Sequence, residues 1–193
     1  TNNRYKEIVL AGFSMGGSII LKYLGEERAR AKNITKAVTF SVPCDLKDSA
    51  ITLSKKGMSF YRKKFLEKLK LKMKQKALIY PDKFNLYGID AIKHFSEFEE
   101  RFTAPIHDFK NADDFYQKAS AKNYLKGIKI PTLIVNAIND PFFSEACYPY
   151  YEVEKLEHVY LETPKRGGHV GFMLSKKECW MEKRIYEFVD SNP

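Results

Sequence analysis

Three short segments of the chain carry residue types that could do chemistry together. Gly12-Phe13-Ser14-Met15-Gly16 sets a serine between glycines, Asn139-Asp140-Pro141-Phe142 offers a carboxylate, and Gly167-Gly168-His169-Val170-Gly171 offers a glycine-framed imidazole. A serine hydroxyl is a weak nucleophile until a base takes its proton, and a histidine base is more effective when an acid fixes its tautomer. Together the three types point to acyl transfer. His169 would take the proton of Ser14, Ser14 would attack a carbonyl carbon, and Asp140 would steady the imidazolium. That chemistry needs no metal and no organic cofactor.

Each segment alone has a plainer reading. G-x-S-x-G arises by chance in Gly-Ser loops. Asp140 could merely start a turn, since Asn-Asp-Pro is strong turn chemistry, and Asn139 competes for that role without a charge to offer an imidazolium. A lone loop histidine is usually a surface residue, the reading given to His94, His107 and His158.

The elements around the segments decide between these readings. Ile8-Val9-Leu10-Ala11, bounded by Gly12, reads as a buried strand, and Ser18 to Leu24 as a helix ending near Gly25. Ser14 thus falls at a strand-to-helix junction, the setting that G-x-S-x-G requires. There Gly12 and Gly16 are expected to remove Cβ atoms that would clash in a tight turn. The Met15 N–H, at the start of a helix, is expected to stabilise an oxyanion. Further strands are expected at Ala37–Val42, stopped by Pro43, at Thr132–Ala137, entered through Pro131, and at Val159–Glu162, stopped by Pro164. A closing helix is expected from about Lys177 to Val189, with Trp180, Met181, Ile185, Phe188 and Val189 as its apolar positions. Strands alternating with helices predict an α/β fold, a mostly parallel sheet with helices on both faces. Ligands bind at the carboxyl ends of the strands in such sheets, and Ser14, Asp140 and His169 each follow a strand. Their order along the chain is that of the α/β-hydrolase triad.

Roughly 85 residues between the second and third strands show little strand pattern and are too many for a plain loop. They are broken at Pro81, Gly88 and Pro105 and read as a helical cap insertion at about 45–118. Phe65, Leu69 and Met73 recur at i, i+4 and i+8 among Lys63, Lys64, Lys68, Lys70, Lys72, Lys74 and Lys76, which predicts an amphipathic helix with a solvated basic face. Phe60, Tyr61, Phe65, Phe84, Tyr87, Phe95, Phe98 and Phe102 would line an acyl pocket or form the cap's own core.

A formal charge of +9 raises nucleic acid and anionic membrane as partners. Much of the excess sits on the one predicted helix, so no nucleic-acid partner is expected and a membrane surface stays a minor alternative. At 44% hydrophobic and 30% charged residues the composition is that of a soluble domain, without the ~18 uninterrupted apolar residues of a membrane span. Three widely spaced cysteines, Cys44, Cys147 and Cys179, form no CxxC pair and read as buried or indifferent thiols in a reducing cytoplasm. The chain opens Thr1-Asn2-Asn3 rather than with Met, so residues of the native N-terminus are expected to precede it.

Gly12-Phe13-Ser14-Met15-Gly16-Gly17, Asn136-Ala137-Ile138-Asn139-Asp140-Pro141-Phe142 and Gly167-Gly168-His169-Val170-Gly171-Phe172 resemble the YheT-like α/β-hydrolases. These are bacterial esterase-like proteins similar to the eukaryotic phospholipase-like abhydrolases. Thr103-Ala104-Pro105, Tyr116 and Ala119-Ser120-Ala121 also resemble that family, and the likeness covers essentially the whole chain. One departure is visible: the family usually has two adjacent aspartates where this chain has Asn139-Asp140. The resemblance implies the carboxyl-terminal part of an α/β-hydrolase whose first strands, with the second oxyanion N–H, lie upstream. It implies a serine hydrolase of small-molecule carboxylic esters, short- to medium-chain or lipid, with Ser14, Asp140 and His169 as nucleophile, acid and base. This chain alone would be weakly active or inactive, and a second copy could cover the edge of its nucleophile strand. The alternatives are a non-catalytic binding module and acyl transfer to an alcohol instead of water.

Overall fold

The computed structural model describes residues 5–26, 32–175 and 178–191. Thr1, Asn2, Asn3 and Lys177 lie outside the described residues, and with them the expected start of the closing helix. Strands β1 (Ile8–Phe13), β2 (Ile34–Phe40), β3 (Thr132–Val135) and β4 (Val159–Glu162) form one parallel sheet in that spatial order. Phe13 pairs with Phe40, Phe40 with Val135 and Val135 with Glu162. All four strands therefore end level, and the loops that leave them lie side by side.

Alternation along the strands covers both faces of the sheet. On one face Ala37 and Ile134 pack with Leu21 and Leu24 of α1 (Met15–Gly25), together with Val42 and Val159. On the other face Val38, Phe40, Leu133 and Val135 pack with Phe188 of α8 (Trp180–Asp190), beside Trp180, Met181 and Ile185.

β1 departs from the expected burial. Ile8, Val9 and Leu10 are half-buried and Ala11 is exposed, because β1 has β2 on one side and, among the described residues, no strand on the other. The fully buried strand is β3, which has a neighbour on each side. β2 and β3 are also shorter at their carboxyl ends than the apolar runs predict. Ser41 turns into the left-handed region at φ 53°, ending the strand while Ser41 and Val42 stay buried. α1 begins at Met15, directly after Ser14, earlier than the expected Ser18.

Between β2 and β3 the described residues form no strand. They fold into α2 (Leu46–Ser54), α3 (Ser59–Ile79), α4 (Phe95–Phe98), a π turn (Glu99–Thr103), α5 (Ala104–Ile106) and α6 (Ala112–Ala119). Asp45 caps α2 by accepting from the Asp48 N–H at 3.0 Å, and Asn111 caps α6 through the Asp114 N–H at 2.8 Å. Leu66, Met73, Ile89, Ile92, Phe98 and Phe102 give this stretch a core of its own.

The apolar stripe of α3 is not the single face its spacing predicts. Leu66 and Met73 enter the helical core, whereas Phe65 is 37% exposed and turns, with Leu69, towards a cavity described below. The basic face is only partly solvated. The Lys70 ammonium donates to the carbonyls of Asp90 and Ile92, and Lys74 pairs with the Asp90 carboxylate at 2.8 Å. Among the described residues no helix is long and apolar enough to cross a membrane. The short α7 (Tyr150–Val153) lies on the path from β3 to β4.

Candidate active site

Ser14 occupies the turn between β1 and α1 with φ 51° and ψ −126°, a backbone state that L residues rarely hold. Hydrogen bonds on both sides keep it there: its N–H donates to the Phe40 carbonyl at 2.8 Å, and its carbonyl accepts from the Ser18 N–H at 3.1 Å. Gly12 behaves as expected, since a Cβ there would lie 2.6 Å from Ile20 Cδ1 and 2.9 Å from the Gly17 nitrogen. Gly16 does not: a Cβ there meets nothing within 4 Å. The crowded helix position is Gly17, where a Cβ would lie 2.6 Å from Val42 Cγ2, because that side of α1 faces the sheet. Met15 is the first residue of α1, so its N–H sits at the positive end of the helix beside Ser14.

The exit from β3 is built around buried polar contacts. The Asn136 amide braces the end of β2: Oδ1 accepts from the Val42 N–H at 2.7 Å and Nδ2 donates to the Val42 carbonyl at 2.9 Å. Asp140, whose side chain is fully buried, accepts the Phe142 N–H on Oδ1 at 2.9 Å. Its Oδ2 lies 2.8 Å from His169 Nδ1, and His169 Nε2 lies 2.8 Å from the Ser14 hydroxyl. Three residues from three strand ends, separated by up to 155 positions, thus form one line of hydrogen bonds. With the shared proton on Nδ1, Nε2 is left to accept from the serine hydroxyl.

Several further residues hold this line; Phe142, Asn139 and Gly168 lie in segments the sequence singled out, whereas Phe143 and Ser41 carry no signal that sequence reasoning used. The Phe142 ring lies 4.3 Å from the imidazole, and Phe143 meets it edge-on at 5.6 Å. The Ser41 hydroxyl donates to the His169 carbonyl. Gly168 adopts φ 54°, and its N–H donates to Asn139 Oδ1 at 2.9 Å. Asn139, weighed from sequence as a turn residue, is a clamp between the Asp140 loop and the His169 loop. Its position next to Asp140 was the one available hint. His107 is exposed, His94 and His158 are half-buried, and none of the three lines the cavity at Ser14.

A cavity of about 360 Å³ opens beside Ser14 and His169, mostly walled by carbon: Leu46, Leu53, Phe65, Phe95, Phe142 and Phe143. Of the aromatic residues proposed for an acyl pocket, Phe65 and Phe95 reach it. Phe98 and Phe102 fill the helical core with Phe84 beside them, while Phe60 and Tyr87 are exposed. Tyr61 instead packs edge-on against Phe142, 5.0 Å away. Glu99 and Tyr116 interrupt the apolar wall, as do Ser49, Lys68 and Lys72. Burial raises the Glu99 carboxyl from 4.5 to about 7, with the nearby Tyr116 hydroxyl pulling the other way. Burial likewise pushes the thiols of Cys44 and Cys147 up, which keeps them protonated and unreactive. Among the described residues no group of three or more His, Cys, Asp or Glu side chains is placed to hold a metal ion.

Known proteins resemble this chain in sequence, and solved structures resemble it in fold. No protein-family model matches it. It is 31% identical to YheT of Escherichia coli (strain K12), described as a candidate esterase, over 92% of this chain and 53% of that protein. It is 28% identical to the phospholipase ABHD3 of Mus musculus, over 94% of this chain and 45% of that protein. It is also 28% identical to a medium-chain fatty acid ethyl ester synthase/esterase of Saccharomyces cerevisiae, over 95% and 45% respectively. The chain therefore spans about half the length of the curated relatives it matches. Among solved structures, an esterase of Pyrococcus furiosus superposes with a TM-score of 0.55 at 21% identity, over 97% of this chain and 55% of that one. The likeness is one of fold, and the fold is that of the α/β-hydrolases.

Proposed function

We propose that this chain, an α/β-hydrolase by fold and YheT-like by sequence, carries the nucleophile, base and acid of a serine esterase. In this reading His169 takes the Ser14 proton through Nε2, and Ser14 Oγ attacks the carbonyl carbon of an ester. The Met15 N–H receives the oxyanion, and Asp140 holds the imidazolium. Collapse of the tetrahedral species expels the alcohol, which takes its proton from His169. Water then attacks the acyl-serine by the same route and releases the acid.

The observation that carries the reading is the line Asp140–His169–Ser14, with both contacts at 2.8 Å, set at the wall of an apolar cavity. The cavity suits an acyl chain, and the helical stretch at about 45–118 acts as the cap that encloses it. Free cysteines suit a cytoplasmic setting. Among the described residues no strand covers the outer edge of β1, a second copy would cover it, and light scattering that finds only monomer would remove that idea.

Treatment with a fluorophosphonate followed by peptide mass spectrometry tests the nucleophile. Label on Ser14, absent in Ser14→Ala, together with turnover of p-nitrophenyl esters, weak in this chain and abolished by the same substitution, is the expected result. Label elsewhere, or equal turnover in both proteins, would remove the esterase reading in favour of a binding module. A second reading is favoured by the synthase named in the yeast relative: transfer of the acyl group to an alcohol. An ethyl ester formed when ethanol is added, in place of the free acid, would establish it.

A further inference from the structure

Glu99, in the π turn, and Tyr116, on α6, line the same cavity as Ser14 and His169. Tyr116 is only 5% exposed, and its hydroxyl has no hydrogen-bond partner; Glu99 Oε2 is buried and has none either. The Tyr116 hydroxyl and the Glu99 carboxyl do interact side chain to side chain, each acting on the other's proton, but the contact falls outside ordinary hydrogen-bond geometry and leaves both open to a better partner. A cavity built only to hold an alkyl chain gains nothing from two unpaired polar atoms in its wall, since each has lost its water. Such atoms discriminate strongly when a substrate group satisfies them.

The chemistry of that group follows from its surroundings. Lys68 and Lys72, exposed on α3, line the same cavity, so a cationic group would be repelled. A carboxylate would meet the Glu99 carboxyl, and an alkyl group leaves both atoms unpaired. A hydroxyl both donates and accepts, and so can pair with the Tyr116 hydroxyl and with Glu99 in either protonation state. We propose that Glu99 and Tyr116 form a polar subsite for an uncharged hydroxyl carried by the substrate ester. The substrate class is thereby narrowed from simple medium-chain esters to hydroxylated ones. The inference rests on the esterase reading above and specifies its substrate.

The test compares plain p-nitrophenyl octanoate with a set of hydroxyoctanoates, the hydroxyl moved along the chain, and with a glyceryl octanoate whose free hydroxyls lie on the alcohol side. The expected result is that at least one hydroxylated ester exceeds the plain one by about tenfold or more in kcat/KM. Its identity tells whether the hydroxyl belongs to the acyl or the alcohol part. Tyr116→Phe and Glu99→Leu, which remove the polar atoms, should each lower the ratio of hydroxylated to plain kcat/KM by about tenfold. No hydroxylated ester outperforming the plain one would overturn the subsite, as expected if it merely holds water; so would ratios unchanged in both variants. The wild-type ratio needs no variant to fold. Binding of octanamide and its hydroxylated counterparts to Ser14→Ala, followed by NMR, separates the two claims. A binding preference without any ester turnover would sink the esterase reading alone, and turnover without a preference in rate or binding would sink the subsite alone.

Discussion

Asn139 Oδ1 accepts the Gly168 N–H at 2.9 Å, so the residue preceding Asp140 holds the residue preceding His169. The bond spans 29 positions and fixes the left-handed Gly168 from which His169 departs. Asn139→Ala is expected to lower kcat by about tenfold with KM little changed, because a loosened imidazole costs transition-state contact more than binding. Asn139→Asp, which keeps an acceptor oxygen, should restore most of the rate. Loss of rate in the aspartate variant as well would show that the contact does not position His169.

Asp140 accepts from both His169 and the Phe142 N–H, and its side chain is fully buried. Asp140→Asn keeps the shape but presents a donor to Nδ1, which reverses the tautomer and turns Nε2 away from accepting the serine proton. Turnover should fall by about 10⁴ while the protein still folds. A fall of less than tenfold in steady-state assays would remove Asp140 from the proposed triad.

Gly16 and Gly17 are adjacent in sequence and opposite in setting. Gly17→Ala would drive a methyl group to 2.6 Å from Val42 Cγ2, and is expected to destabilise the fold by about 2 kcal/mol in denaturant titration. Gly16→Ala places its methyl group in open space and should cost nothing. Equal effects from the two would contradict the seating of α1 against β2.

Glu99 predicts a pH dependence of stability. Its carboxyl is raised to about 7 in the folded protein from 4.5, chiefly by burial. Between those values the folded state retains a proton that the unfolded chain has released. The contribution is therefore fully present below about pH 4.5 and is lost as pH rises through 7, at most roughly 3 kcal/mol. Urea titrations from pH 4.5 to 8 should show this decline, and Glu99→Gln should flatten it and leave the protein more stable than wild type at pH 8. Parallel profiles for the two proteins would exclude Glu99 as the source.

The sequence made the parallel sheet legible because its strands are short apolar runs with punctuation: Gly12 after β1, Pro131 before β3, Pro164 after β4. It also placed Ser14, Asp140 and His169 past the ends of three strands of one sheet, β1, β3 and β4, whose exit loops leave on the same side. What could not be read is what depends on lateral position. The edge location of β1 is a property of the sheet and not of Ile8–Ala11. The crowding at Gly17 depends on Val42, and the clamp at Asn139 on a glycine 29 positions away. For α3, a spacing of four residues identified a helix but not which neighbour each apolar residue meets, and Phe65 and Met73 part company for that reason.

That division of α3 has a consequence for how this molecule can change. Leu66 and Met73, with Leu69 packed beside them, support the helical core, whereas Phe65, Lys68 and Lys72 shape the cavity. Substitutions at the second group can reshape what the cavity accepts without removing a side chain from the buried centre of that core. Change in what the cavity accepts is thereby less tightly tied to the risk of unfolding, and a lineage can vary one side of a single helix while the other keeps that helical core assembled.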